Sequence, residues 1–124
     1  MTTKTGKRIA EAFRDGRILK LGNTVTHSLG ASHVWLHGRV IAWVDREGVV
    51  QLSLSGWPGA TTRDRLNAIL EALGSPSRFF QHRYTQYYGI PATGAARPVD
   101  SVEWVPLAGP LGMRALLAAR MAAE

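Results

Sequence analysis

The chain contains no cysteine among its 124 residues. That absence excludes disulfides, thiolate metal sites and cysteine nucleophiles, and it fits a reducing cytoplasm. Long apolar runs are also missing, and no stretch approaches the roughly 20 residues needed to span a bilayer. The N-terminus is polar and basic and lacks the apolar core of a signal peptide. There is no P-loop, no dinucleotide-binding fingerprint and no nucleophile elbow. No internal repeat and no dividing linker is found, so one domain is expected over residues 1–124. Acidic residues are scarce, with 9 Asp and Glu against 15 Lys and Arg, a formal net charge of +6.

What is present is a globular composition, 45% apolar and 19% charged, sufficient for a core without covalent staples. The positive charge is uneven. Residues 1–20 carry Lys4, Lys7, Arg8, Arg14, Arg17 and Lys20 against only Glu11 and Asp15. Attraction to an anionic partner is therefore expected to be strongest at this basic, helical N-terminal segment. Twelve of the cations are arginine, whose planar fork suits bidentate contacts.

Periodicity predicts the elements. Ile9, Ala12 and Phe13 lie at helical spacing, so residues 5–16 read as a helix capped by Thr5 and stopped by Gly16. Residues 18–21 and 24–27 are β-prone and flank a Gly22-Asn23 turn. The clearest segment is 33–55. Residues 33–37 and 39–44 are rich in strand formers, with Gly38 as a bulge or tight bend. A polar Asp45-Arg46-Glu47-Gly48 turn follows, and then Val50, Leu52 and Leu54 alternate with polar residues. After Gly56-Trp57-Pro58-Gly59, Leu66, Ile69, Leu70 and Leu73 form a helical stripe ended by Gly74 and Pro76. Thr61 or Thr62 is the expected cap, with Asp64 completing a box. Residues 78–88 read as one aromatic strand, 89–100 as a loop, 101–105 as a short strand and 111–123 as a helix. The expected fold class is α+β: a small antiparallel sheet with a central hairpin at 33–55 and helices packed on it.

Three strings stand out: Leu36-His37-Gly38-Arg39-Val40-Ile41-Ala42, then residues 50–58 ending in Gly56-Trp57-Pro58, then Thr61-Thr62-Arg63-Asp64-Arg65-Leu66-Asn67. Over residues 34–75 the chain resembles small bacteriophage-encoded proteins that share a strand, a Gly-Trp turn and a Thr-Thr-(Arg/Lys)-x-Arg-(Leu/Ile)-Asn helix start. The aromatic strand and the Glu103-Trp104 pair resemble that group too. The resemblance implies a phage or prophage origin and carries no activity with it.

The same residues supply the candidate sites. Arg63 and Arg65 stand at a helix N-terminus, where free N–H groups and guanidiniums suit an anion, although Asp64 opposes them. Asn67 is a poor helix former and either bonds the Gly-Trp turn or reads a partner. Lys4, Lys7 and Arg8 extend the basic set. Tyr84, Tyr87 and Tyr88, interleaved with Arg78, His82 and Arg83, suit base stacking and equally suit a core or a protein interface. Trp57 reads as a lid over the core or as a ligand platform. His33 and His37 share strand parity, but no zinc spacing is present and no metal or cofactor is expected. A triad built on His27 or His82 would need distant assembly, and Asp100 with Glu103 is weaker still as acid–base machinery.

The leading expectation is a non-enzymatic phage accessory protein in the bacterial cytoplasm. It would act by binding a host protein or a nucleic-acid-processing complex, as an inhibitor of host defence does. Direct nucleic-acid binding is the alternative, and a small enzyme the third reading.

Overall fold

A computed structural model describes residues 2–27 and 32–107. Helix α1 (Lys4–Asp15) is followed by β1 (Leu19–Leu21), β2 (Thr24–His27), β3 (His33–Leu36), β4 (Arg39–Val44) and β5 (Val50–Leu52). Then come α2 (Ala60–Ala72), β6 (Arg78–His82), β7 (Thr85–Ile90), a single 3₁₀ turn (Pro91–Thr93), β8 (Ala95–Pro98) and β9 (Val105–Pro106). The first five strands and β9 form an antiparallel sheet in the order β1-β2-β3-β4-β5-β9, and β6-β7-β8 form a second antiparallel sheet. The α+β class and the central hairpin follow the alternation read in the sequence.

The larger sheet has one face against the helices. Cross-strand register places Thr24, Leu36, Thr26, Val34, Ala42, Leu52 and Val105 on that face, and all are buried. The predicted stripe of Leu66, Ile69, Leu70 and Leu73 packs against it, together with Ile9 and Phe13 of α1. Each such side chain contributes about 1.5–3 kcal/mol when fully buried. The 33–55 segment contains two tight reversals. His37 and Gly38 both take positive φ between β3 and β4, and Asp45–Gly48 joins β4 to β5. Gly38 is thus a bend, while the irregularity in pairing falls between Val34 and Trp35.

Several local expectations are corrected by long-range contacts. The first helix starts at Lys4, and Thr3 rather than Thr5 caps it by accepting from the Gly6 N–H at 3.0 Å. Gly6 marks a helix crossing, since a Cβ there would lie 2.5 Å from Asp64 Oδ2. Helix α2 has Gly59 as its N-cap with no side-chain bond, and Thr62 is buried. Asp64 makes no capping box because its carboxylate accepts from Thr3 N and Thr3 Oγ1, both at 2.7 Å. A tertiary donor pair has displaced the local one.

Residues 78–88 are a hairpin, not one strand. Residues 95–98 form β8 where a loop was expected, and the expected strand over 101–105 shrinks to β9. The helix expected over 111–123 lies outside the described residues.

Asp45 organises the β4–β5 turn. Its Oδ1 accepts from Glu47 N at 2.9 Å and Val49 N at 3.0 Å, and its Oδ2 accepts from Gln51 Nε2 at 3.0 Å. The Gln51 amide and then the Val49 N–H hold this carboxyl below the ordinary range. A depressed folded-state pKa adds stability above the unfolded value, about 3.9, and that stability is lost as pH falls through the folded value. The stability advantage of the wild type over Asp45→Asn is therefore expected near neutrality and to shrink as pH drops below about 4. Urea midpoints measured from pH 7 to pH 3 check this.

Candidate functional site

Three polar side chains of the Thr-Thr-Arg-x-Arg-Leu-Asn string, Arg63, Arg65 and Asn67, bond to other parts of the fold. Arg63 Nη1 donates to Pro58 O at 2.9 Å and to Gln81 Oε1 and Gln86 Oε1, both at 3.1 Å. Arg65 is 8% exposed. Its Nε donates to Thr24 Oγ1 at 3.1 Å and its Nη1 to Thr3 Oγ1 at 3.2 Å, and it pairs closely with Asp64. Asn67 clamps one peptide of β6, with Nδ2 donating to Phe79 O at 2.9 Å and Oδ1 accepting from Phe79 N at 2.8 Å. The three side chains tie α2 to α1, to β2 and to the smaller sheet. Asn67's poor helix propensity was the one signal that its amide has a specific job. Lys4, Lys7 and Arg8 are exposed on α1.

Between α2 and β6 lies an open groove of about 370 Å³, lined in part by Arg63, Asp64, Asn67, Glu71, Arg78 and Phe80. Its charges are largely matched. Glu71 accepts from Thr2 Oγ1 at 3.0 Å and lies 3.8 Å from Arg78, which also donates to Ser75 O and Ser77 O.

The three tyrosines separate. The turn at Arg83-Tyr84 pairs Phe80 with Tyr87 on one face and Phe79 with Tyr88 on the other. Tyr88 packs on buried Phe79, ring centroids 4.8 Å apart, at the core. Tyr87 stacks with Phe80 on the outer face at 5.5 Å, and Tyr84 stands 94% exposed at the tip. Glu103 and Trp104 also have separate tasks. Glu103 accepts from Arg97 Nη2 at 2.7 Å and from Asp100 N at 3.2 Å, so Arg97 holds its carboxyl below the usual range. Trp104 meets Trp43 edge-on at 6.3 Å.

A constellation whose assembly sequence reasoning missed, though it weighed Trp57 as a ligand platform, lies where two turns meet. His37 in the β3–β4 turn and Ser55 after β5 both have positive φ, 51° and 52°. These conformations carry steric strain in residues other than glycine. They bring Trp57, half-exposed at 51%, against the His37 ring and the Arg39 guanidinium. His37 stacks on its ring at 5.8 Å and 25°, and the Arg39 guanidinium sits 5.2 Å from the ring centroid. Arg39 Nη1 also donates to Ser55 O at 3.1 Å, and the His37 ring meets Asn23 Nδ2 at 3.1 Å. Gly56 N donates to Ser101 O at 2.7 Å, and Trp57 N to Leu54 O at 2.9 Å. Trp57 is thus a held ring at the surface, beside a small cavity that buried Leu36, Ile41 and Leu54 also line. His37 has left the strand for this turn, so the shared parity with His33 does not bring the two imidazoles together. The sequence singles out Trp57 as a lid or a ligand platform and the Gly-Trp-Pro-Gly run as a turn, but not the side chains that face the ring.

Among the described residues, no helix is long and apolar enough to cross a membrane, and no group of three or more His, Asp or Glu is placed to hold a metal ion. The model of a protein family, Kyanoviridae Gp96 protein, matches residues 2–106. No curated protein and no solved structure shows a significant match.

Proposed function

We propose a binding function for this chain, which belongs to the Kyanoviridae Gp96 protein family and is a phage-encoded small protein. It is a non-enzymatic accessory protein of the bacterial cytoplasm that docks a host protein, or a host nucleic-acid-processing complex, through the Trp57 corner. The observation that carries this reading is the half-exposed Trp57 ring held between His37 and Arg39. Tryptophan and arginine dominate the energetic centres of protein interfaces. A ring already fixed by its neighbours loses little conformational freedom on binding. The Arg39 guanidinium beside the ring favours a partner surface that offers a carboxylate next to an apolar pocket. Lys4, Lys7 and Arg8, exposed on α1, add long-range attraction to such a surface without needing to touch it.

The test compares wild type with Trp57→Ala and Arg39→Ala as baits in host lysate, followed by binding constants with the purified partner. Trp57→Ala is expected to weaken binding at least about thirtyfold, as hot-spot truncation does. Its half-exposed site limits the stability loss to about 1–2 kcal/mol. A folded Trp57→Ala variant that retains every partner at wild-type affinity would sink the proposal.

A further inference from the structure

We infer that the outer face of the three-stranded sheet, with its Arg83-Tyr84 tip, is a binding site for single-stranded nucleic acid. The first observation is the turn itself. Arg83 and Tyr84 both take positive φ, 49° and 67°, the geometry of a two-residue hairpin turn in which Asn-Gly is the favoured pair. Two non-glycine residues there are sterically costly. Neither repays that cost by burial: Arg83 and Tyr84 are exposed, Tyr84 at 94%. Arg83 forms none of the ion pairs among the described residues.

The second observation is the surface behind the tip. Register places Phe80, Tyr87 and Pro98 side by side across β6, β7 and β8. Phe80 and Tyr87 stack at 5.5 Å and 14° and remain partly exposed, and His82 and Thr85 continue the same face toward the tip. A flat aromatic slab leading to an exposed tyrosine is the shape that receives successive bases.

The third observation is charge. From residue 78 to residue 98 the sequence contains Arg78, Arg83 and Arg97 and no aspartate or glutamate. Arg78 and Arg97 are engaged with Glu71 and Glu103, which leaves Arg83 as the cation beside the tip. An aromatic face on strands with no acidic residue of their own suits stacked bases carried on a phosphate backbone. The site uses different residues from the Trp57 corner, so either can fail without the other.

The probes are fluorescein-labelled 15-mer oligo(dT), oligo(U) and a duplex of mixed sequence, titrated with the intact protein by anisotropy over a salt series. The informative variant is Arg83→Asn/Tyr84→Gly, which installs the favoured turn pair. It is expected to melt no lower than wild type, yet to bind the single strands about tenfold or more weakly. Phe80→Leu/Tyr87→Leu, with its melting temperature monitored, is expected to weaken them similarly. Single strands are expected to bind more tightly than the duplex, with affinity falling as salt rises. Three results would overturn the inference. One is no saturable binding of either single strand at low salt. Another is a folded Arg83→Asn/Tyr84→Gly protein with wild-type affinity. The last is equal affinity for duplex and single strand, abolished by Lys4→Glu/Lys7→Glu/Arg8→Glu instead. That pattern would mark general attraction to the basic helix.

Discussion

Arg65→Ala is expected to lower the free energy of unfolding by about 3–5 kcal/mol, the loss typical of breaking a buried ion pair from one side. Arg65 is 8% exposed and bonds Thr24 of β2, Thr3 before α1 and Asp64 of its own helix. Truncation removes these donors together. It leaves the Asp64 carboxylate, 12% exposed at its side chain, with only the Thr3 donors. The cost comes mainly from that stranded charge, so it is not a measure of what the pair adds to the fold. Two comparisons separate the causes. Arg65→Lys should recover little, because an ammonium cannot reach Thr24 and Thr3 with the same planar fork. Asp64→Asn/Arg65→Met should cost less than the sum of the single changes, because no unpaired charge remains. With a urea slope of about 1.5 kcal/mol/M, the Arg65→Ala midpoint should fall by roughly 2–3 M. A shift below about 0.5 M would show that the pair is not buried as described.

Gly89→Ala is expected to cost at least about 3 kcal/mol, the upper end of overpacking effects. A Cβ at this position would lie 2.2 Å from Ala95 O and 2.4 Å from Ala96 Cα. Both obstacles are backbone atoms of β8, so no rotamer change relieves the clash. The φ of +156° adds strain for any residue with a side chain. The damage should concentrate in β7 and β8. Hydrogen exchange at Tyr88 and Ala96 should rise more than at Ala42 and Leu52 of the larger sheet. Gly94→Ala is the control: it also has positive φ, +72°, but nothing within 4 Å of an added Cβ, so its cost should stay near 1–2 kcal/mol. Equal losses at both glycines would mean that conformation rather than crowding matters at Gly89.

Both variants bear on what was legible without coordinates. The alternation of Val50, Leu52 and Leu54, and the stripe of Leu66, Ile69, Leu70 and Leu73, identified the core faces because burial imposes period 2 on a strand and about 3.6 on a helix. The distinctive string at 61–67 was also visible, but its roles were not. Arg65 reads as an anion-facing cation because arginine is usually exposed, and Asn67 as bonding either the Gly-Trp turn or a partner. Their actual partners, Thr24 at a separation of 41 residues and Phe79 at 12, belong to other elements. The aromatic segment failed for a different reason. Reading residues 78–88 as one strand gave Tyr84 and Tyr88 the same parity as Phe80. The turn at Arg83-Tyr84 reverses the chain, pairing Tyr87 with Phe80 and sending Tyr88 inward. Neither residue carries the usual turn signature, so only cross-strand pairing reveals the reversal.

The sequence by itself determined the α+β class, the 33–55 hairpin with its polar turn, the apolar stripe of α2 and a basic N-terminal helix. Each is written in neighbours within a few residues, where periodicity and turn chemistry act. Tertiary structure alone decided that Arg65 and Asn67 serve the fold, that Trp57 is held outward by His37 and Arg39, and that Phe80 and Tyr87 share a face. These outcomes depend on which distant donor or ring arrives at a given side chain. One-dimensional spacing does not encode that arrival until the strands have paired.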